Sequence, residues 1–364
     1  MTPSKSRPGD IRSEVLAVRA QLTEDVWSRF KLYRPDGNLI TLLQALQEMH
    51  ARVARIEAKL DRLLGNEYGA RPEYAQGSES GGVRHRRVQI PLPAAPAGAA
   101  RRRGPDLLDL DVHWSMFVPK VLRDKGFGGY EKWALCHILT ALEVGPSGAF
   151  LDIGLNVGPY ALLGRAFSDR EVIGFEPTPD LAEVAENCGK SNGLDYTVER
   201  IALGDSNGTA TLYLSDSTDS SNSLNASFRP NSFVLEVPLQ TLDSYADEKE
   251  LLPGVLKVDT ETTEPAVLRG SRDTVLRHRP WIFCEVLAGD VGAELMEVMA
   301  DWGYRWYHLD GVGPLTARDV IEGNNTDLMW LFAPEEPTAQ YWELVARWRD
   351  QLDHVSVGQE VPLS

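Results

Sequence analysis

The chain has 364 residues, with 53 Asp or Glu against 37 Lys or Arg and a formal net charge of −16. This negative balance argues against nucleic acid or an anionic membrane as the main partner. No apolar run is long enough to span a bilayer, and no apolar signal-peptide core follows Met1, so we expect a cytoplasmic protein. The three cysteines are far apart and are expected to be reduced thiols: Cys136, Cys188 and Cys284.

Residues 1–64 predict a helical segment whose second part, 39–64, is a coiled coil. Its apolar residues recur at alternating steps of three and four: Leu39, Leu42, Leu46, Met49, Val53, Ile56, Leu60 and Leu63. This spacing is a heptad seam, and Gly65 ends it. An amphipathic helix that packs on its own domain is the alternative interpretation. The coiled coil predicts a homo-oligomer, or docking to a biosynthetic partner enzyme.

The composition changes after this segment. Residues 65–105 are rich in Gly, Ser, Pro, Ala and Arg, which predicts a flexible linker. Between residues 106 and 335, apolar runs of strand length alternate with helical stretches. That alternation predicts an α/β domain with a doubly wound, Rossmann-like, mostly parallel sheet. Residues 336–364 predict a C-terminal helix and tail.

The stretch from Phe150 to Pro177 has the pattern of a strand, a turn, a helix and a second strand. The first strand ends in an acid, the turn carries two glycines and an amide, and the second strand ends in an acid. Glycines let the backbone approach a ligand, and a helix N-terminus offers unpaired N–H groups. An acid that ends the second strand can accept hydrogen bonds from both hydroxyls of a ribose. We therefore predict a site for an adenosine-containing cofactor, formed by Asp152, Gly154, Asn156, Gly158 and Glu176.

The spacing of this turn discriminates between cofactors. The dinucleotide fingerprint requires G-x-G-x-x-G, and its middle glycine is missing here. The pattern Asp152-x-Gly154-x-Asn156-x-Gly158 instead resembles the first motif of the class I methyltransferases, which bind S-adenosylmethionine. An NAD-linked oxidoreductase remains an alternative.

Further motifs follow in a fixed order: DIGLNVGPY, GFEPTP, VPLQTLDSY, LKVDTETTEPAVLRG and RPWIFCEV. Over roughly residues 120 to 290 this series resembles the FkbM family of methyltransferases. The resemblance implies a class I fold with a seven-stranded sheet and S-adenosylmethionine as the methyl donor. It also implies O-methylation of a hydroxyl on a sugar, glycan or secondary metabolite. The chain departs from the family at Leu155, where a small residue is usual, and at Thr262, where glycine is usual.

The remaining candidate residues lie at strand ends and in loops. Asp259 and Glu261 follow the strand 255–258 and can accept the acceptor's proton or orient the acceptor, so we predict that they are catalytic. For the cofactor we add Glu131, Ala202 and Asp205, and for the acceptor we predict Ser221, Asn222 and Glu285. Paired carboxylates can also hold a divalent metal, which stays open as a further cofactor, but no complete ligand set is visible, so no metal ligands are assigned.

The same residues leave two further functions open. Nothing in the chain fixes the acceptor atom, so an N-methyltransferase of the same fold is compatible with these motifs. A non-enzymatic assembly protein is also compatible with them, if the coiled coil is its working part and the cofactor domain is a relic.

Overall fold

The computed structural model separates the chain into two units at residues 69 and 70. It describes residues 85–99, 103–113, 115–216 and 218–361, all within the second unit. The coiled coil predicted for residues 39–64 lies outside the described residues and stays a prediction.

Strands and helices alternate through most of the second unit, as the sequence predicts. The strands are β1 His85–Pro91, β2 Leu107–His113, β3 Ala149–Ile153, β4 Val172–Phe175, β5 Thr197–Glu199, β6 Ala202–Leu203, β7 Gly208–Ser215, β8 Asn231–Gln240, β9 Pro253–Val258, β10 Trp281–Glu285, β11 Arg305–His308, β12 Met329–Ala333 and β13 Gln359–Val361. The α-helices are α1 Phe117–Lys125, α2 Lys132–Val144, α3 Pro159–Phe167, α4 Pro179–Ser191, α5 Leu242–Lys249, α6 Glu264–Arg269, α7 Arg272–His278, α8 Val291–Val298 and α9 Ala339–His354.

A central sheet of seven strands has the order β11-β12-β10-β9-β3-β4-β5. Strands β5, β4, β3, β9 and β10 pair in parallel, whereas β12 is antiparallel to both of its neighbours. Strands β4 and β5 lie on one side of β3, and the later strands β9, β10, β11 and β12 lie on the other side. The strand order therefore reverses between β3 and β9, which is the topological switch point of the sheet. Ligands of open α/β sheets bind at such points, at the carboxyl ends of the strands. The predicted Rossmann-like, mostly parallel sheet of seven strands is confirmed.

Helices cover both faces of this sheet. Adjacent strand residues point to opposite faces, so Phe150 packs with the helices α2, α3 and α9, while Leu151 packs with α5 to α8. Each of these side chains is fully buried. The continuous apolar runs of the central strands therefore reflect burial on two sides.

A second sheet, β13-β1-β2, corrects two predictions. Strand β1 lies within the predicted flexible linker, and β13 lies in the predicted C-terminal tail. Strand β1 pairs with β2 from His85↔His113 to Pro91↔Leu107, and Val88 and Ile90 are fully buried. The linker prediction is wrong for residues 85–91, because the alternating apolar residues of this stretch stabilise a strand once a partner strand covers them.

The third sheet, β6-β8-β7, contributes to the wall of the ligand cleft. The sequence predicts one strand over residues 196–203, but the structure divides it between β5 in the central sheet and β6 in this small sheet. In the part of the chain that the structure describes, no helix combines the length and the apolar character that a membrane crossing needs.

Candidate functional site

A cleft that is open at its mouth lies where β3, β4, β9 and β10 end. Nine of the residues predicted for the site line this cleft: Gly154, Asn156, Glu176, Glu131, Ala202, Asn222, Asp259, Glu261 and Glu285. The other four predicted residues do not line it: Asp152, Gly158, Asp205 and Ser221. The sheet thus brings together most residues of a site that the sequence spreads over more than a hundred positions.

The glycine turn has the backbone geometry that its residues predict. Gly154, Asn156 and Gly158 have φ values of 83°, 51° and 80°, in the region that favours glycine and asparagine. A Cβ on Gly154 would collide with the carbonyl oxygen of Asp259. Leu155, the first departure from the family pattern, packs against Gly174, where any side chain would collide with it.

Glu176 connects this turn to the next helix. Its Oε2 accepts a hydrogen bond from the Asn156 N–H at 2.8 Å, and its Oε1 accepts one from the Thr178 N–H at 2.8 Å. Burial raises the pKa of Glu176. Each carboxylate oxygen has a second lone pair, so Glu176 can accept further hydrogen bonds from a ligand in the cleft.

Asp152 lies beneath the turn, where it pairs with Lys257, a residue absent from the sequence-based prediction of the site. The Nζ of Lys257 is 3.4 Å from Asp152 Oδ1 and 3.1 Å from Asp259 Oδ2, and it donates to the Gly154 carbonyl at 3.2 Å. Asp152 is fully buried, which raises its pKa to about 6. The signal for Lys257 was present in the sequence: a lone cation inside an apolar strand, two residues before Asp259 and therefore on the same face.

Glu131 also lines the cleft, close to Tyr160 and Lys257. Its Oε2 accepts a hydrogen bond from the Tyr160 hydroxyl at 2.5 Å. Burial raises the pKa of Glu131, the charge of Asp259 raises it further, and the ammonium of Lys257 opposes both effects. Lys257 in turn lies 5.1 Å from the centre of the Tyr160 ring. This part of the cleft thus contains interacting carboxylates, a phenol and an ammonium.

Three carboxylates lie close together in the cleft, beyond the ends of β9 and β10. Asp259, Glu261 and Glu285 can each place an oxygen within 4.8 Å of the others. Burial, followed by the charges of Asp259 and Glu264, raises the pKa of Glu261 to about 9, so this group carries a proton near neutral pH. Burial raises the pKa of Glu285 well above its usual range. Of the two residues predicted to be catalytic, Glu261 can therefore donate a hydrogen bond from its carboxyl group, whereas Asp259 lies beside the Lys257 ammonium.

The turn after β9 differs from the family pattern at a strained position. Glu261 and Thr262 have φ values of 58° and 81°, and a β-branched residue rarely adopts such a value. Hydrogen bonds hold this turn in place. Glu264 Oε1 accepts from the N–H groups of Thr260 at 2.8 Å and Thr262 at 3.2 Å, and Asn225 donates to the Thr262 hydroxyl at 2.9 Å.

The predicted residue Asp205 does not line the cleft, whereas Asp219, which was not predicted, does. Asp205 is exposed and lies 3.3 Å from the Nε of Arg269, away from the cleft lining. Asp219 lines the cleft instead, at 3% exposure, and its Oδ1 accepts a hydrogen bond from the Phe117 N–H at 2.9 Å. In the sequence Asp219 is one member of a polar loop, and one acid in a run of Ser and Asp residues gives no signal of burial.

The sheet order and the cleft at its switch point define a Rossmann-like α/β fold of the class I methyltransferase type. Residues 152–306 match the family described as "Methyltransferase FkbM domain". This match over residues 152–306 supports the resemblance to the FkbM methyltransferases that the sequence motifs predict.

Distant similarities to solved structures accompany this match. An FkbM methyltransferase from Methylobacillus flagellatus KT is 15% identical with a TM-score of 0.33, and the match covers 51% of this chain and 43% of that one. Fibrillarin from Aeropyrum pernix with natively bound S-adenosyl-L-methionine is 11% identical with a TM-score of 0.33, covering 72% of this chain and 86% of that one. The chain spans less than half of the FkbM structure's length, and no residue role is transferred from either structure. No curated protein matches the chain.

Proposed function

We propose that this protein is an S-adenosylmethionine-dependent O-methyltransferase that acts on a hydroxyl of a sugar, a glycan or a secondary metabolite. The observation that carries the proposal is the hydrogen bond between the Asn156 N–H and Glu176 Oε2. It joins a glycine turn of positive φ to the acid that ends the next strand, inside the cleft at the switch point. The acceptor class rests on the family resemblance.

The residues of the cleft fit S-adenosylmethionine by their chemistry. Glu176 would accept hydrogen bonds from the ribose hydroxyls, and the turn at Gly154 and Asn156 would face the amino-acid end. Ala202 and Leu203 are buried apolar residues in the cleft wall and suit the adenine ring. When bound, this cofactor supplies an electrophilic methyl group on a sulfonium.

The chain's own residues would then hold the acceptor and take its proton. Asp259 is half-buried in the cleft and is fixed by the Lys257 ammonium at 3.1 Å. As the acceptor oxygen gains the methyl group, its proton would pass to Asp259, the carboxylate within reach that is free to accept it. Positioning contributes more than base strength here, because a sulfonium methyl group is already reactive.

Isothermal calorimetry with S-adenosylhomocysteine tests the cofactor assignment. Wild-type protein is expected to bind with a micromolar dissociation constant. Glu176→Ala is expected to weaken binding by tenfold or more, about 1.4 kcal/mol. Glu236→Ala serves as the control, because Glu236 is exposed on β8 and contacts Thr211 rather than the cleft. Absence of binding to the wild type would refute the proposal, and binding of NADH instead would favour an oxidoreductase.

We further propose that residues 39–64 join copies of the chain, and that acceptor delivery by a partner enzyme uses the same segment. The heptad seam supports this proposal. Light scattering should give a multiple of the chain mass for the wild type and a lower multiple for Leu46→Lys. An unchanged mass in that variant would refute a role of the seam in assembly.

A further inference from the structure

The Glu285 carboxylate is buried without a binding partner. The residue is 8% exposed, and within the described part of the chain no hydrogen bond or ion pair engages its side chain; Oε2 in particular has no hydrogen-bond partner. A buried carboxylate without a partner is costly, and such groups in native structures usually indicate a ligand, an ion or a catalytic role. The buried carboxyl group therefore lacks a polar partner among the described side chains.

Two further carboxylates converge on Glu285. Strands β9 and β10 are parallel neighbours, so Asp259 and Glu285 lie side by side at the same edge of the sheet. The strained turn at Glu261 brings a third carboxylate to the group, and one oxygen from each residue lies within 4.8 Å of the others. Backbone strain at a functional site commonly serves to orient a side chain.

The nearest ammonium does not satisfy this group. Lys257 lies 3.1 Å from Asp259 Oδ2 but is shared with Asp152 and the Gly154 carbonyl, and no ion pair joins it to Glu261 or Glu285 among the described contacts. Asp259 also keeps its second oxygen, Oδ1, available for another ligand. The Lys257 ammonium is therefore shared by Asp152 and Asp259, and a divalent ion that displaces the proton of Glu261 would supply the missing positive charge.

We propose that Asp259, Glu261 and Glu285 bind one divalent cation of the hard, oxygen-ligated class that includes Mg²⁺, Mn²⁺ and Ca²⁺. Metal–oxygen distances of about 2.1 to 2.6 Å place two ligand oxygens on opposite sides of such an ion at about 4.2 to 5.2 Å from each other. The three oxygens lie within 4.8 Å of one another, which is close enough for one such ion to contact all of them. The absence of thiolate or imidazole ligands among the three residues argues against zinc or copper.

The remaining coordination positions would face the cleft and a second cavity. Glu131 and Glu285 line both, and the second cavity is walled by Trp133, Asp327 and Met329. With the cofactor in the cleft, an acceptor hydroxyl would reach the ion from this second cavity. The ion would then bind and polarise that hydroxyl oxygen. Asp259 would hold the ion through one carboxylate oxygen and take the hydroxyl proton on the other, a role that rests on the proposed function.

Calorimetry with the ion alone tests the site without knowledge of the acceptor. Chelator-treated full-length protein is titrated with MnCl₂, MgCl₂ and CaCl₂ in separate experiments. We expect one site per chain with a dissociation constant below about 1 mM for at least one ion. Glu285→Gln and Glu261→Gln should each weaken that binding at least about tenfold, whereas Glu236→Gln, on the exposed β8 surface, should leave it unchanged.

S-adenosylhomocysteine binding to the same metal-free proteins separates the two proposals. Retained binding in Glu285→Gln shows that the variant is folded and that the cofactor site is independent of the ion. The metal proposal is overturned if no ion binds to the wild type, or if the two glutamine variants bind as the wild type does. In either case cofactor binding by the wild type would leave the proposed function standing.

Discussion

Lys257 lies between two carboxylates, and its replacement by methionine should destabilise the fold. Asp152 is fully buried, and burial already raises its pKa to about 6 while Lys257 lowers it. Removal of one partner from a buried ion pair costs about 3–5 kcal/mol, because the other charge stays buried and unpaired. Protonation of Asp152 in the variant limits the loss to the lower part of this range.

Urea unfolding monitored by circular dichroism measures this loss. At pH 7 the free energy of unfolding of Lys257→Met should be about 3 kcal/mol below that of the wild type. Lys190→Met is the control: the Lys190 side chain is 66% exposed, and such changes are usually within about 0.5 kcal/mol. The difference between Lys257→Met and the wild type should shrink below pH 6, because the folded wild type then also holds Asp152 protonated.

A double variant tests whether the loss arises from the pair. Asp152→Asn removes the charge that Lys257 neutralises, so adding it to Lys257→Met should recover about 1 kcal/mol or more. Strictly additive losses in the double variant, or a loss below about 1 kcal/mol in Lys257→Met, would refute the reasoning.

Three further predictions concern stability. Gly154→Ala should lower the free energy of unfolding by at least about 2 kcal/mol, because the added Cβ would collide with a carbonyl oxygen. Gly193 also has a positive φ but has open space around it, so Gly193→Ala should lower the free energy of unfolding by only about 1 kcal/mol. Thr262→Gly should be about 1 kcal/mol more stable than Thr262→Val, because both lose the Asn225 hydrogen bond but only glycine relieves the strain; equal urea midpoints would contradict this. Burial lowers the pKa of His137 from 6.5 to about 4, so the unfolded chain gains a proton first and stability should fall by about 3 kcal/mol as pH drops across that window. A pH series that compares His137→Gln with the wild type isolates this effect, and identical slopes would exclude it.

The local pattern of the sequence predicts the glycine turn and most of the residues that line the cleft. The pattern combines a glycine at 154, an amide at 156 and an acid at the end of the next strand. In a strand–turn–helix unit, this combination is typical of a ligand-binding turn. The carboxyl ends of parallel strands meet at one edge, so the prediction that Asp259 and Glu285 face a common site follows from the strand pattern alone. The family motifs, which occur in a fixed order, additionally predicted a methyltransferase.

The tertiary structure decided the features that depend on contacts between distant segments. Strand β1 lies in a stretch whose composition resembles a linker, and only pairing with β2 and β13 stabilises it. The register of β3 against β9 places Lys257 opposite Asp152, and the polar loop buries Asp219 while Asp205 stays at the surface. Spacing along a chain specifies backbone conformation and faces of strands, but burial and charge pairing arise from strand register and loop packing, which are set by the whole fold.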